Sequence, residues 1–288
     1  MITASTGKKG FSLVELMAAM AVAAIVMTGI YTMYFTQTKS HVTQQAVVDM
    51  QQGIRLALFL LEKEIRMAGY DLTGSSNAGI TNAQRASITF TMDVTGGETD
   101  GLDNDGDGNT DTADLKLDND GLDNDGDALV DEDDEGDETA YGDGDVTDAL
   151  EQVTYFLSND ADGDGIADSL DCNLQRQYWD GAAWQPSPGA DLAFNIDALN
   201  FVYLDDTGAP LDDDGNGNVT VSIPLIRSVQ VTIVARAGQN SRQGLPNQEV
   251  DDKVYRNQQN QVILPSQDDR FRRNILTTEV SCRNLGLP

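Results

Sequence analysis

The stretch GFSLVELMAAMAVAAIVMTGIYTMYF, residues 10–35, decides the N-terminal architecture of this chain. Its apolar run covers residues 11–35 and contains a single charged side chain, Glu15. Because 18 or more apolar residues are enough to cross a bilayer as a helix, the run predicts a membrane-spanning segment. A carboxylate inside such a segment is costly and therefore indicates a functional role. Lys8 and Lys9 precede the run and favour a cytoplasmic position for its N-terminal side.

The motif GFSLVELM, with Gly10 before Phe11 and a glutamate at Glu15, resembles the type IV prepilin signature. The resemblance implies cleavage by a prepilin peptidase between Gly10 and Phe11 and N-methylation of the new N-terminus at Phe11. It also implies an assembly role for Glu15, whose carboxylate would pair with the N-terminal amine of a neighbouring subunit. A buried carboxylate and a buried ammonium offset each other's desolvation cost when they pair. A plain membrane anchor with a glutamate near the interface is the alternative.

The helical pattern continues beyond the apolar run to about residue 68. In this second half, apolar residues recur at spacings of three and four, which indicates an amphipathic helix with one buried face. These residues are Val47, Met50, Ile54, Leu58, Leu61 and Ile65. Gly69 comes next, and glycine is the usual residue just past the end of a helix. We therefore predict that residues 11–35 lie in a membrane or filament core and that residues 36–69 pack on a globular head.

Stretches rich in β-branched and aromatic residues follow the helix and are separated by glycine-containing turns. The predicted strands lie at residues 86–94, 151–158, 174–179, 198–204, 226–237 and 275–282. Runs of strands after one long helix favour an α+β head with an antiparallel sheet. This plan resembles the type IV pilin fold. It divides the chain into a leader (1–10), the helix, a β-rich head (70–97 and 172–288) and an acidic insertion (98–171).

Three further segments resemble the PilW-type minor pilins. They are RLALFLLEKEIRMAGYD (55–71), IRSVQVTIVARA (226–237) and FRRNILTTEVSCRN (271–284). The resemblance implies a minor pilin that primes pilus assembly in the inner membrane, with its head in the periplasm, and then lies at or near the filament tip. Its partners would be other minor pilins, the major pilin and a tip adhesin. A J-type pseudopilin of type II secretion and a membrane-tethered, calcium-dependent adhesin remain alternatives.

The formal net charge of −30 is concentrated in the predicted insertion. Residues 98–171 hold 28 aspartates and glutamates against one basic residue, Lys116, which gives that segment a net charge of −27. The rest of the chain has 20 acidic and 17 basic residues. Nucleic-acid binding needs a basic patch, so this composition predicts no nucleic-acid partner.

An Asp-rich unit occurs three times within the acidic segment, starting at Asp103, Asp123 and Asp160. Each copy places oxygen ligands at the alternating positions that an EF-hand-like loop uses for Ca²⁺. The units resemble thrombospondin-type-3 and dockerin-like calcium loops, which implies two or three bound calcium ions. The candidate ligands are Asp103, Asp105, Asp107, the Asn109 carbonyl, Asp111, Asp114, Asp123, Asp125, Asp127, Asp131, Asp134, Asp160, Asp162, Asp164, the Ile166 carbonyl, Asp168 and Asp171. A disordered acidic insert is the alternative.

A fourth acidic stretch, DDDGNGN at residues 212–218, predicts a hairpin turn rather than a calcium site. The ligand expected at position 12 of a calcium loop falls on Ile223, which has no side-chain oxygen.

The two cysteines, Cys172 and Cys282, are compatible with one disulfide in an oxidising compartment, and two unlinked thiols are the alternative. The single histidine, His41, lies in the predicted helix. The head therefore offers no Ser-His-Asp or Cys-His arrangement, and we predict a non-enzymatic protein.

Overall fold

The computed structural model describes residues 12–71, 76–94, 146–147, 149–237 and 249–285. The chain forms two compact units that divide between Ala46 and Val47. In the described residues the elements are α1 (Leu13–Met67), β1 (Ile80–Ala83), β2 (Ile88–Thr91), β3 (Ala149–Leu157), β4 (Leu174–Asp180), β5 (Trp184–Ala193), β6 (Ile196–Leu204), β7 (Pro210–Leu211), a 3-10 turn (Ile223–Leu225), β8 (Ser228–Ala237), β9 (Tyr255–Arg256), β10 (Val262–Leu264) and β11 (Arg272–Ser281).

The first unit is the N-terminal part of α1. Every side chain from residue 12 to residue 42 is exposed, although most of the residues up to Phe35 are apolar. The helix is long and apolar enough to cross a membrane, judged by its length and composition. Its observed bounds agree within two residues with the predicted helix, which began at residue 11 and ended at about residue 68.

In the second unit, the C-terminal part of α1 buries one face, as its amphipathic pattern predicted. The buried side chains are those of Met50, Ile54, Ala57, Leu58, Leu61 and Ile65. Five of these six belong to the predicted apolar stripe, and Ala57 fills the same face. Val47, the first member of the predicted stripe, is half-buried. The stripe therefore joins the core of the head, where Leu61 and Ile65 are fully buried.

The C-terminal end of α1 is completed by residues from the end of the chain. Gly69 has φ of +76°, the left-handed conformation expected just past a helix end. A Cβ at this position would lie 2.5 Å from Leu285 Cδ2, so a side chain there would displace the Leu285 side chain. Asn284 Nδ2 donates to the carbonyl oxygens of Arg66 and Met67, at 3.3 and 3.5 Å.

The strands form antiparallel sheets, which confirms the predicted α+β head with a long N-terminal helix. The five-stranded sheet has the order β1-β2-β3-β4-β5, and the four-stranded sheet has the order β11-β8-β6-β7. A two-stranded hairpin of β9 and β10 packs against the buried Ala198 and Val234 of the four-stranded sheet.

The six predicted strands coincide with β2, β3, β4, β6, β8 and β11. The pattern did not indicate β5, because Pro186, Pro188 and Gly189 lie within it. These residues disfavour a central strand, but β5 is the edge of its sheet, where proline is tolerated. The strands β1, β7, β9 and β10 were also not predicted, since each has only two to four residues.

One predicted domain boundary needs correction. The acidic insertion was expected to extend over residues 98–171, but β3 falls inside that interval and pairs with both β2 and β4. Alternate side chains of β3, including those of Val153 and Tyr155, are buried in the head core. Residues 149–157 therefore belong to the head sheet.

A half-buried charge pair fixes α1 on the five-stranded sheet. Arg176 of β4 places Nη2 2.9 Å from Glu64 Oε1 and Nε 3.0 Å from Glu64 Oε2. Tyr155 of β3 donates its hydroxyl hydrogen to the same carboxylate. Burial, with the nearby Glu64 charge, raises the pKa of Tyr155 well above its usual range, so the hydroxyl remains a donor. These bonds hold the helix at one register on the sheet.

We expect Glu64→Gln to lower the free energy of unfolding by about 2–3 kcal/mol, because it leaves the Arg176 guanidinium partly buried without its counter-charge. Urea unfolding of the full chain in detergent, followed by tryptophan fluorescence, measures this loss. The matched control is Glu62→Gln, since Glu62 forms a more exposed pair with Arg66 one helical turn away. The control variant should lower the free energy of unfolding by about 0.5 kcal/mol or less. Equal losses for the two variants would contradict the assigned role of Glu64.

Candidate functional site

The start of α1 carries a reciprocal pair of hydrogen bonds between Ser12 and Glu15. The backbone amide of Ser12 donates to Glu15 Oε2 at 2.9 Å, and the amide of Glu15 donates to Ser12 Oγ at 3.2 Å. This arrangement is a capping box, with Ser12 as the N-cap residue. The S-x-x-E spacing could have revealed Ser12 from the sequence. Gly10 and Phe11, the predicted cleavage and methylation site, lie outside the described residues.

The third Asp-rich unit forms the loop between β3 and β4. The structure brings one carboxylate oxygen each of Asp160, Asp162 and Asp168 within 4.8 Å of one another. Asp160 accepts hydrogen bonds from the backbone amides of Asp164 at 3.1 Å and Gly165 at 3.0 Å. Burial raises the pKa of Asp160, and the neighbouring Asp164 and Asp162 charges act in the same direction. A bound cation would relieve this repulsion.

The other predicted ligands of this loop lie outside the group of three. Asp164 Oδ1 accepts the backbone amide of Ile166 at 2.7 Å. Asp171 is exposed, and its backbone oxygen accepts a hydrogen bond from the Asn159 side chain. The Ile166 residue forms an isolated antiparallel bridge with Ala198.

The loop is attached to the first residues of β6 by backbone hydrogen bonds. The amide of Ala167 donates to the Asp197 carbonyl at 3.0 Å, and the amide of Leu199 donates to the Gly165 carbonyl at 2.9 Å. Gly165 has φ of +80°, and a Cβ there would lie 2.3 Å from the Leu199 carbonyl oxygen. Only glycine therefore allows the loop to approach β6 this closely.

Behind this attachment lies a buried cluster of charged side chains. Asp197 of β6 forms ion pairs with Arg236 of β8 through Oδ1 and with Arg273 of β11 through Oδ2, the second at 2.6 Å. Both guanidinium groups lie over the Phe271 ring, at 5.5 and 5.9 Å from its centroid. The two arginine side chains are 1% and 2% exposed.

Arg273 connects this cluster to the segment before β11. Its Nη2 lies 2.6 Å from Asp269 Oδ2, and its Nη1 lies 3.2 Å from Asp251 Oδ2. Tyr255 donates its hydroxyl hydrogen to the same Asp251 oxygen at 2.9 Å. The sequence analysis placed Arg236 in a predicted strand and Arg273 just before one, and it did not predict the cluster. No local pattern reveals it, because Asp197 is separated from Arg236 and Arg273 by 39 and 76 positions.

The first two Asp-rich units lie outside the described residues, so their predicted ligands remain predictions. These are Asp103, Asp105, Asp107, Asn109, Asp111, Asp114, Asp123, Asp125, Asp127, Asp131 and Asp134.

The DDDGNGN segment, residues 212–218, forms a turn between β7 and the 3-10 turn, not a turn joining two paired strands. The Asp213 amide donates to the Asn218 carbonyl at 2.9 Å. Asp213 Oδ2 accepts hydrogen bonds from the backbone amides of residues 220–222. The hydrogen bonds from Ser222 hold the pKa of the Asp213 carboxyl far below its usual range. The predicted hairpin is therefore corrected to a loop closed by its own side chains.

The disulfide considered between Cys172 and Cys282 is absent, because both residues are buried free thiols. The Cys172 carbonyl accepts the amide of Ile196, at the first residue of β6. The amide of Cys282 donates to the Arg227 carbonyl. The amide of Arg227 in turn donates to the carbonyl of Leu204, which is the last residue of β6. The two thiols therefore lie near opposite ends of this strand, about 26 Å apart at about 3.3 Å per residue. A disulfide requires Cα atoms within about 7 Å.

We expect Gly165→Ala to destabilise the head by several kcal/mol, because the new methyl group adds a clash with the Leu199 carbonyl to the cost of the left-handed backbone. The matched control is Gly163→Ala, since Gly163 has φ of +71° and nothing within 4 Å of its Cβ position. The control variant should lower the free energy of unfolding by about 1–2 kcal/mol, because alanine must adopt the left-handed backbone conformation there. Thermal unfolding of the two variants measures the difference. Equal losses would show that the loop does not need its close approach to β6.

Comparison with known proteins identifies one motif near the N-terminus of the chain. Residues 5–31 match the family model described as the prokaryotic N-terminal methylation motif. A search among curated proteins gave no match. Among solved structures, the chain is similar to a type IV-like pilin from Thermus thermophilus, with a TM-score of 0.45 and 9% sequence identity, over 82% of this chain and 97% of that chain. The chain thus carries an N-terminal methylation motif that overlaps the start of its long apolar helix.

Proposed function

We propose that this chain is a type IV pilin-like filament subunit, anchored by its N-terminal helix before assembly. The observation that carries the proposal is the coincidence of the methylation motif over residues 5–31 with α1, which begins at Leu13 and is apolar enough to cross a membrane. A prepilin peptidase would cleave between Gly10 and Phe11 and methylate Phe11. The β-rich head that follows α1 would then be carried on the exported side of the membrane.

Within this class, the chain acts as a PilW-type minor pilin that primes assembly and lies at or near the filament tip. The resemblance of residues 55–71, 226–237 and 271–284 supports this finer assignment. The structure adds that the second and third of these segments form adjacent strands, since β8 and β11 pair along ten residues without a bulge. The partners of such a subunit are other minor pilins, the major pilin and a tip adhesin.

The action of this subunit is non-covalent and depends on Glu15. The Ser12 amide holds one oxygen of the Glu15 carboxylate, and the side chain is exposed. The remaining lone pairs are available to the N-terminal amine of a neighbouring subunit. A misplaced neighbour would leave both charges unpaired in an apolar environment, at a cost of several kcal/mol per ion. Glu15 therefore selects the correct axial position.

We expect Gly10→Val to abolish leader cleavage and, with it, surface pili, while type II secretion continues. Intact mass and N-terminal sequencing report the cleavage, and electron microscopy reports the pili. Gly7→Val is the matched control, because Gly7 is the other glycine of the leader and does not lie at the expected cleavage point. Loss of secretion with normal pili would overturn the pilus assignment in favour of a pseudopilin. Normal cleavage in the Gly10 variant would overturn the processing site.

We also propose that the loop at residues 160–171 binds Ca²⁺, and that the units at residues 103–114 and 123–134 bind one or two further ions. The spacing of the aspartates in the sequence supports this proposal, with Gly165 at loop position 6. Extracellular calcium modules work at about 10⁻⁴–10⁻³ M, so the loops would fill after export. Calcium would then stabilise a tip-exposed surface against the repulsion of its carboxylates.

Calorimetric titration of the full chain in detergent should detect two or three calcium ions and a rise in melting temperature. The double variant Asp160→Asn with Asp162→Asn should bind one ion fewer, because it removes two ligands that the loop brings together. Asp206→Asn is the control, since Asp206 is an exposed acid in the turn between β6 and β7. No heat and no stabilisation at millimolar calcium would refute calcium binding and leave the pilin assignment unaffected.

A further inference from the structure

The strand β11 lies at one edge of the four-stranded sheet and leaves half of its backbone groups unpaired. In the described residues it pairs with β8 alone, over Arg272–Ser281 and without a bulge. The amide of Cys282 donates to the Arg227 carbonyl at the start of β8. Because backbone groups of an antiparallel strand alternate in direction, even-numbered residues of β11 face β8 and odd-numbered residues face away. The outward-facing residues are Arg273, Ile275, Thr277, Glu279 and Ser281.

The other sheet edges in the described part of the chain are short, bridged or interrupted by proline. Strand β5 contains Pro186 and Pro188, which cannot donate backbone hydrogen bonds. Strand β1 has four residues and is bridged to Val219, and β7 has two residues. On the side away from β8, β6 is bridged to Ile166. Proteins protect their sheet edges in these ways against pairing with other chains, so the long open edge of β11 is the exception.

The outward-facing backbone groups of β11 have no hydrogen-bond partner among the described residues. The side chain of Gln258 donates to the Thr278 carbonyl at 3.3 Å, but Thr278 belongs to the set that faces β8. Three of the outward-facing residues, Thr277, Glu279 and Ser281, are exposed. A row of accessible amides and carbonyls of this kind is the template on which an extended peptide adds a strand.

The charge along this edge is opposite in sign to that of the chain as a whole. Residues 270–283 hold four arginines and one glutamate, which gives them a net charge of +3 in a chain of net charge −30. Arg270, Arg272 and Arg283 are exposed, and their side chains form no ion pair or hydrogen bond with the described residues. These arginines attract acidic side chains. They also disfavour a second copy of the chain, because two paired β11 edges would bring like charges together.

We propose that the outer edge of β11 binds an extended acidic segment of a partner protein as an additional strand of the sheet. The outward-facing amides and carbonyls supply the attachment, and the exposed arginines at both ends of the strand select acidic side chains. This inference goes beyond the proposed filament role. It depends neither on that role nor on calcium, because it uses only the described residues of the head.

A ten-residue peptide of alternating valine and glutamate is the probe, because it matches β11 in length and valine favours extended strands. Fluorescence anisotropy of the labelled peptide measures its binding to the full chain in detergent, and residue-resolved hydrogen exchange locates the bound peptide. We expect saturable binding that slows exchange at the odd-numbered amides of residues 273–281. The even-numbered amides, which already bind β8, should change little.

The matched control peptide has proline in place of each valine, so it keeps the charge but loses alternate amides. It should bind at least about tenfold more weakly, because it cannot complete the ladder. Equal binding of the two peptides would show that charge alone attracts them, which contradicts strand addition.

Thr277→Pro removes one outward-facing amide and no bond to β8, and proline is tolerated at a sheet edge in this orientation. We expect it to raise the Kd of the valine–glutamate peptide about tenfold. Thr277→Val keeps the amide and should bind the peptide within about twofold of the wild type. An unchanged Kd in the folded proline variant contradicts the assigned edge.

Arg272→Glu tests the charge preference and does not alter the backbone ladder. It should also raise the Kd of the valine–glutamate peptide about tenfold, because it places a like charge at the start of the edge. The matched control is Arg55→Glu, since Arg55 is an exposed arginine on α1 and the change in net charge is the same. Equal shifts in the two variants would contradict selection of the acidic segment by the edge.

Two measurements on the wild type test the inference without any substitution. Absence of binding at millimolar peptide overturns it. In the free protein, the odd-numbered amides of residues 273–281 should exchange faster than the even-numbered ones. Equally slow exchange at every protein concentration would show that the chain covers its own edge, and protection that rises with protein concentration would show that a second copy occupies it. Either result contradicts an acidic partner strand.

Discussion

The burial of one face of α1 between Met50 and Ile65 is the interaction on which the head depends. Six side chains of that face are removed from water, and Leu61 and Ile65 retain no exposed surface. A single fully buried leucine or isoleucine contributes about 1.5–3 kcal/mol, so this face outweighs any one hydrogen bond in the head. Tyr155, whose hydroxyl group binds Glu64 of this helix, is also fully buried. The C-terminal part of α1 is thus part of the core of the head.

Two charge clusters, one half-buried and one buried, add specificity to this apolar core. Glu64 with Arg176, and Asp197 with Arg236 and Arg273, each join elements that are distant in the sequence. Buried ion pairs are a weak source of net stability, because desolvation offsets most of the attraction. Their main effect is to penalise wrong registers, since a helix or strand shifted by one residue would leave a buried charge alone. The apolar pattern determines which faces are buried, and these pairs determine how the faces align.

The periodic parts of the fold could be predicted from the sequence, because burial of one face leaves a regular signal. Helix α1 carries that signal in its C-terminal part, and strand β3 carries it as alternating buried side chains. Strand β5 does not, because its prolines are acceptable only at a sheet edge, and edge position is a property of the whole sheet. The Asp-rich spacing indicated the loop at residues 160–171, but its attachment through Asp197 depends on pairing between distant segments. The position of Cys172 relative to Cys282 depends on the same pairing, so the disulfide could not be excluded from the sequence.

The contact of Asn284 and Leu285 with the end of α1 has a consequence for the order of events during biosynthesis. The last turn of the helix is translated well before Asn284, which binds its carbonyl groups and lies 218 positions after Arg66. The head therefore reaches its final packing only after Asn284 has been synthesised. Contacts between residues so far apart in sequence also slow folding, because a long loop must close before they form. A chain with this topology therefore keeps the carbonyl groups at the end of α1 uncovered until a segment more than 200 positions away folds back onto them.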